Sequence, residues 1–297
     1  MELNSYFTGL LSNIEPDPDA VKAAINSHEE LRKLIKNDEQ ISQANPDSYL
    51  SGSYARHTAI RDIKDVDVIV LLNLNIEDPN TQPDTVIAWI QASLQNYYSK
   101  VRAQGRSVQV TTDDDNEFQL DVVPAIPISR SDGPVWIPDR DAKKWVASHP
   151  KGQMAFTSKR NEDTSGYYVH LVKIMKFWRD RLPSADARLK SYILESLIAN
   201  CLISEPVSYA KAVVSIFQNI VHNYQVYLTL GTVPNIADPG YPTINVAKRW
   251  KFQEFSAFLT QVQAGYKIAK DALDSNDEQK SIQLWRKLFG VKFAPKE

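Results

Sequence analysis

Asp65 and Asp67 open an otherwise apolar run that continues through Val68, Ile69, Val70, Leu71 and Leu72. Side chains of an extended strand alternate between faces, so the two carboxylates point one way while Val66, Val68 and Val70 point into a core. Two hard oxygen donors on one face make a cradle for Mg²⁺, an ion that leaves part of its shell to phosphate oxygens. Burying unpaired carboxylates is costly, and a strand that keeps two of them needs a cation to offset that cost. Upstream, Gly52-Ser53 forms a turn that can aim backbone N–H groups at a phosphate. A third acid, Asp121, sits alone in a second apolar stretch, Phe118 to Val123. Laid beside the first strand, it would complete a three-carboxylate site for two metal ions about 3.5–4 Å apart.

The setting matters more than the Asp-x-Asp pattern, which recurs at Asp17/Asp19, Asp113/Asp115 and Asp139/Asp141. Those copies read as a helix N-cap, a solvated hairpin turn and a second helix start. Alone, Asp121 would read as a strand residue capping a loop. Lys173 and Lys176 have the spacing of a solvated helix face, and Tyr192 that of ordinary packing. Arg56, Arg61, Lys159 and Arg160 suit either a nucleotide cleft or a solvated surface. The single cysteine, Cys201, lies in an apolar helical stretch and reads as core; it excludes an intramolecular disulfide and a cysteine zinc ribbon.

The elements that must position these residues divide the chain by composition. It has 297 residues, 43% of them hydrophobic and 24% charged, the balance of a globular protein. With 34 Lys and Arg against 36 Asp and Glu, the net charge of −2 argues against coating duplex nucleic acid. No apolar run is long enough to cross a bilayer, and the first residues lack the basic start of a secretory signal, so the expectation is a cytoplasmic protein. A helix is predicted from Asp17 to about Asn37. Strands follow at Ser48 to Leu50, Ile63 to Leu72, Ser107 to Thr112, Glu117 to Val123 and Ile126 to Ser129, interrupted by a helix from Thr85 to Tyr98. Pro124 and Pro127 suggest that the strand carrying Asp121 ends abruptly or continues only at an edge. From about Asp139 the pattern is almost entirely helical: Tyr168 to Arg181, Arg188 to Leu202, Tyr209 to Leu230, Val246 to Leu273 and Glu278 to Phe289. The expected fold is α+β: residues 1–155 form a mixed-sheet lobe with a long N-terminal helix, and residues 156–297 an all-helical lobe. A cleft between two lobes is a favoured place for a small-molecule site.

Gly52-Ser53, Asp65-x-Asp67 and Asp121 together resemble the signature of the polymerase-β-type nucleotidyltransferases, which include poly(A) polymerase, the oligoadenylate synthetases and cyclic GMP-AMP synthase. Other stretches draw the resemblance towards the last two and their bacterial relatives, the cyclic-oligonucleotide synthetases (CD-NTases) of antiphage systems. Lys173-Ile174-Met175-Lys176-Phe177-Trp178 is similar to the helix whose lysine holds the donor triphosphate, Lys176 being the better match. Ser191-Tyr192 resembles the helix start that contacts phosphates and stacks on a base. Asp238-Pro239 with Pro242, Asn245 and Val246 is similar to a segment near the end of the oligoadenylate-synthetase-like core.

The resemblance implies in-line attack of a 2′ or 3′ hydroxyl on an α-phosphate, assisted by two Mg²⁺ ions for which Mn²⁺ can substitute. Asp65, Asp67 and Asp121 would be the metal ligands and catalytic acids, Asp121 serving the ion nearest the hydroxyl. Gly52 and Ser53 would bind the outer phosphates, Lys176 and Lys173 would neutralise the triphosphate, and Ser191 and Tyr192 would add a donor and a stacking face. The implied activity makes a cyclic di- or trinucleotide second messenger from NTPs, with pyrophosphate released. Transfer to RNA, tRNA or protein is the runner-up, and a catalytically dead nucleotide-binding scaffold the reading from another class. The cysteine cluster of the animal DNA sensor is missing and the charge is near neutral, so a regulatory partner protein or small ligand is expected rather than nucleic-acid activation.

Overall fold

The computed structural model describes residues 1–296 apart from 62, 64, 113–117, 130, 131, 203 and 204. In chain order the elements begin with α1 (Asn4–Ile14), α2 (Pro18–Asn37), β1 (Asp47–Ser51), α3 (Gly52–Ala55), β2 (Val66–Leu71) and α4 (Pro83–Leu94). They continue with β3 (Lys100–Ala103), β4 (Val108–Thr111), β5 (Gln119–Pro127), β6 (Val135–Asp139), β7 (Lys144–Ser148) and α5 (Pro150–Asp163). The remainder is α6 (Tyr167–Asp180), α7 (Ser191–Cys201), α8 (Tyr209–Tyr224), α9 (Val226–Leu230), β8 (Ala237–Asp238), β9 (Tyr241–Asn245), α10 (Phe252–Asp274) and α11 (Glu278–Phe289). Two compact units result, one of Pro16–Ala155 and one of Met1–Glu15 with Phe156–Glu297.

The first unit is built on a mixed sheet of seven strands in the order β1-β2-β5-β4-β3, with β6 on the far end of β5 and β7 on β6. Among the described residues, β2 and β5 are the one parallel pair of this sheet. Alternation gives the sheet two unlike faces. Val66, Val68 and Val70 join Leu120, Val122, Val108 and Val110 in a core closed by Leu31 and Ile35 of α2 and by Val86, Ile87, Ile90 and Leu94 of α4. The opposite face carries Ile69, Leu71, Val123 and Ala125, and continues in register to Asp67 and Asp121. α2 starts where its punctuation predicts, on Asp17, whose carboxylate accepts from the Asp19 N–H at 2.9 Å, with Pro18 in the first turn.

β5 corrects one expectation. It runs unbroken through Pro124 rather than stopping there. The Leu72 N–H donates to the Ala125 carbonyl on the β2 side, so Pro124 turns its missing donor the other way. On that side β4 has ended at the Val122 pairing and β6 begins only at Ile126. A proline costs no ladder bond at a change of neighbours. β6 and β7 likewise extend the sheet past Asp139, where helix is expected, and Asp139 closes a hairpin turn by accepting from the Ala142 N–H. The third Asp-x-Asp copy, Asp113/Asp115, lies outside the described residues, as does Glu117.

The second unit is helical apart from the β8–β9 ribbon. Trp178 of α6, Phe217 of α8 and Phe255 and Phe258 of α10 are buried at its centre. The expectation of a single unit over residues 1–155 differs for the first fifteen, which belong here. Phe7 of α1 explains why: its fully buried ring meets Trp285 edge-on at 5.0 Å and Phe293 at 5.1 Å. Gly9 packs against the Ala294–Lys296 backbone, where a Cβ would come within 2.0 Å of the Ala294 carbonyl oxygen. Cys201 is buried, and burial pushes its thiol up to about 12.

Candidate active site

Strand register brings the acids together. Asp67 of β2 lies directly opposite Asp121 of β5, so two carboxylates leave one face of the sheet from strands about 4.8 Å apart. Asp65 sits just before β2. Burial, then the charges of Asp65 and Asp121, push the Asp67 carboxyl up to about 6, against a smaller opposing pull from Arg56. Burial and then Asp65 push Asp121 up to about 6 as well, with hydrogen bonds from Gln109 and Ser107 and the charge of Arg102 opposing. One oxygen of Asp121, Oδ1, is buried and accepts no hydrogen bond among the described residues.

Gly52 closes the neighbouring side. Its backbone is left-handed, with φ +71°, and a Cβ built there would lie 1.7 Å from Asp67 Oδ2. Only glycine satisfies both conditions. The buried hydroxyl of Thr58 and the guanidinium of Arg56 stand in the following turn, both nearly excluded from solvent.

An orphaned buried oxygen, two carboxyls held above their ordinary range and an all-oxygen donor set fit a divalent cation. Among the described residues no three acid, histidine or cysteine side chains form a closed ligand group as they stand.

The registers also extend a single row across five strands: Ser51 opposite Asp67, Asp67 opposite Asp121, Asp121 opposite Gln109, and Gln109 opposite Arg102. Gln109, Ser107 and Arg102 were missed by motif reasoning. The alternation Val108-Gln109-Val110 marks Gln109 as facing away from the core, but only the pairing of β4 with β5 places it beside Asp121.

The other expected residues lie in the helical unit and form their own network. Lys176 is buried, with its Nζ 2.6 Å from Glu195 Oε1, and the partners are 3% and 2% exposed. Lys173 pairs with Glu15, the residue that follows α1, at 2.6 Å. Neither lysine is the solvated helix face that spacing alone would allow. Arg179 donates to the Ser191 hydroxyl at 3.0 Å and to the Leu189 carbonyl at 3.1 Å, fixing the start of α7. The Tyr192 hydroxyl donates to Asp238 Oδ1 at 2.6 Å, the same oxygen that accepts from the Gly240 N–H in the β8–β9 turn. Asn245 Oδ1 accepts from the Ile236 and Ala247 N–H groups, tying the ribbon's end. Tyr192 and the Asp238–Asn245 segment, far apart in sequence, are thereby joined.

Two facing carboxylates on a mixed sheet beside a glycine turn are suited to metal-assisted phosphoryl transfer. Residues 1–161 match the Second Messenger Oligonucleotide or Dinucleotide Synthetase domain, and the chain belongs to that family, whose members are the cyclic-oligonucleotide synthases of the CD-NTase group. It is 32% identical over 302 aligned positions to the Cyclic AMP-AMP-AMP synthase of an Acinetobacter species, spanning 99% of this chain and 86% of that protein. It is 29% identical to the Probable cyclic AMP-AMP-GMP nucleotide synthase of Salmonella paratyphi B, over 99% and 92%. Among solved structures, Escherichia coli MS115-1 CdnC with ATP superposes with a TM-score of 0.79 at 17% identity, over 99% of both chains. The same protein in its CdnC:HORMA-deltaN complex gives 0.78 at 18% identity, again over 99% of both. The family points to a divalent cation as cofactor. No described helix is long and apolar enough to cross a membrane.

Proposed function

We propose that the protein condenses nucleoside triphosphates, chiefly ATP, into a cyclic trinucleotide that serves as a second messenger in antiphage signalling. The observation that carries the chemistry is the pairing of Asp67 with Asp121 on one sheet face, with Asp65 beside them. These acids would hold two Mg²⁺ ions, which when bound acidify the attacking hydroxyl and neutralise the triphosphate. Gly52 lets the α3 turn lie against the Asp67 carboxylate, where its backbone N–H groups would meet the outer phosphates and Ser53 would offer them a hydroxyl. Lys173, Lys176, Ser191 and Tyr192 would be the helical unit's contribution to nucleotide binding, with Lys176 held by Glu195. The attacking ribose oxygen forms a bond to the α-phosphorus, the bond from that phosphorus to the β-phosphate oxygen breaks, and pyrophosphate leaves.

The names of the relatives support this ring size and base. Those matching 99% of the chain are named for cyclic AMP-AMP-AMP or AMP-AMP-GMP products, whereas those named for UMP-AMP and dipyrimidine products match 61% and 64%. A regulatory partner protein is part of the proposal, since one structural neighbour is a complex with a HORMA protein. Purified protein with four NTPs and Mg²⁺ should release pyrophosphate without added nucleic acid, and Asp67→Asn should not. Release only on addition of RNA, tRNA or an acceptor protein would move the assignment to the polymer- or protein-modifying alternative. Release that duplex DNA or RNA strongly stimulates would overturn the protein-partner reading.

A further inference from the structure

The row of residues across the sheet gives the site a direction. At one end, Ser51 and the Gly52 turn adjoin Asp67 on the β1 side. At the other, Gln109 and Arg102 continue the row beyond Asp121. Phosphoryl transfer needs the attacking and leaving oxygens roughly in line on opposite sides of the phosphorus. If the Gly52 turn receives the outer phosphates, as the proposed function has it, the leaving group departs towards β1. The attacking hydroxyl, with the rest of its nucleotide, must then come from the β4–β3 side.

That side is chemically furnished. Gln109 lies directly opposite Asp121 in the β4–β5 register, on the same face of the sheet. Arg102 stands one strand further, about 10 Å from Asp121 along the sheet at two strand spacings. Its side chain is exposed, donates only at 3.4 Å to Gln109 Oε1, and pairs with no carboxylate among the described residues. An uncommitted guanidinium at the edge of an acid cradle matches a second anion rather than the metal-bound triphosphate, and its planar fork suits phosphate oxygens. We infer that Arg102 binds the 5′-phosphates of the acceptor nucleotide, with Gln109 as the positioning residue that holds Asp121 and Arg102 in register.

The inference rests on the proposed nucleotidyl transfer, and two substrates that cannot exchange roles separate the two ideas. 2′,3′-Dideoxy-ATP can donate but has no attacking hydroxyl, and α,β-methylene-ATP can accept but has no scissile bond to a leaving pyrophosphate. Initial rates of their single ligation should show the KM for α,β-methylene-ATP rising tenfold or more in Arg102→Ala. The KM for 2′,3′-dideoxy-ATP should stay within twofold, the melting temperature should not change, and Arg102→Lys should be intermediate. Equilibrium dialysis of α,β-methylene-ATP against metal-free protein, where no turnover occurs, should show the dissociation constant of one of two sites rising by a similar factor and the other unchanged. An unchanged acceptor KM and dissociation constant, or a rise in the donor KM instead, overturns the inference. A wild-type protein that makes no ligation product contradicts the proposed function, while the dialysis still decides the role of Arg102.

Discussion

Replacing Asp67 with Asn should make the protein more stable and inactive. Its carboxyl rises from an ordinary value of 3.8 to about 6 on folding, by burial and by the charges of Asp65 and Asp121. A shift of about 2 units corresponds to about 3 kcal/mol set against folding once the group is ionised. The sign follows from linkage. Below pH 3.8 the group is protonated folded and unfolded and costs nothing. Between there and about 6 the unfolded chain ionises first, so stability falls as pH rises, and above about 6 the whole cost is present. Asn keeps the shape and cannot ionise. In metal-free buffer at neutral to mildly alkaline pH, Asp67→Asn should gain about 2–3 kcal/mol, a rise of roughly 5–10 °C in melting temperature. The gain should fade as the pH falls from about 6 towards 3.8. Cation binding supplies the converse: at ten times its dissociation constant a divalent ion should stabilise the wild type by about 1.4 kcal/mol and the variant by much less. Differential scanning fluorimetry across pH, with and without Mg²⁺, reads all of this without turnover. A variant that is less stable than wild type at neutral pH, or that responds equally to Mg²⁺, refutes the reasoning.

Gly52→Ala places a Cβ where Asp67 Oδ2 stands and strains the left-handed backbone; activity should fall at least about 100-fold, for a stability loss of only about 1–2 kcal/mol by chemical denaturation. Glu195→Gln leaves Lys176 buried without its counter-charge and should cost about 3–5 kcal/mol, most of it recovered in Lys176→Met/Glu195→Leu. Tyr192→Phe removes the donor to buried Asp238 and should cost about 1–2 kcal/mol in the same denaturation assay.

Much of the site was legible because its signals are local. Asp65 and Asp67 on one face, Gly52 at a special backbone position and Asp121 in an apolar strand all follow from types and spacing within short segments. Their meeting was not local. It depends on the parallel pairing of β2 with β5, between which the chain runs through α4, β3 and β4. For the same reason Gln109 and Arg102 escaped notice: no short pattern distinguishes a polar strand residue beside an acid from one facing solvent. Helices with a clear 3.6-residue stripe were found nearly at their bounds, α11 at Glu278–Phe289 among them. Short polar strands such as β3 and β7, whose edges carry little alternation, were not. α1 was missed because Gly9, a poor helix former, lies in its middle; packing of Phe7 and the close approach at Gly9 override that propensity. The lysines show the limit of helical spacing, since Lys176 at a surface-like interval is buried against a glutamate of the next helix, α7.

The most direct test is the mass of the product. Purified protein should be incubated with ATP, GTP, CTP and UTP plus Mg²⁺, alone and with candidate partner proteins, and the phosphatase-resistant fraction analysed by mass spectrometry. The account predicts a cyclic trinucleotide containing at least two adenylates, absent from Asp65→Asn and Asp67→Asn. A nucleotidylated polymer or protein as the only product would contradict it, as would a cyclic product that persists in both variants.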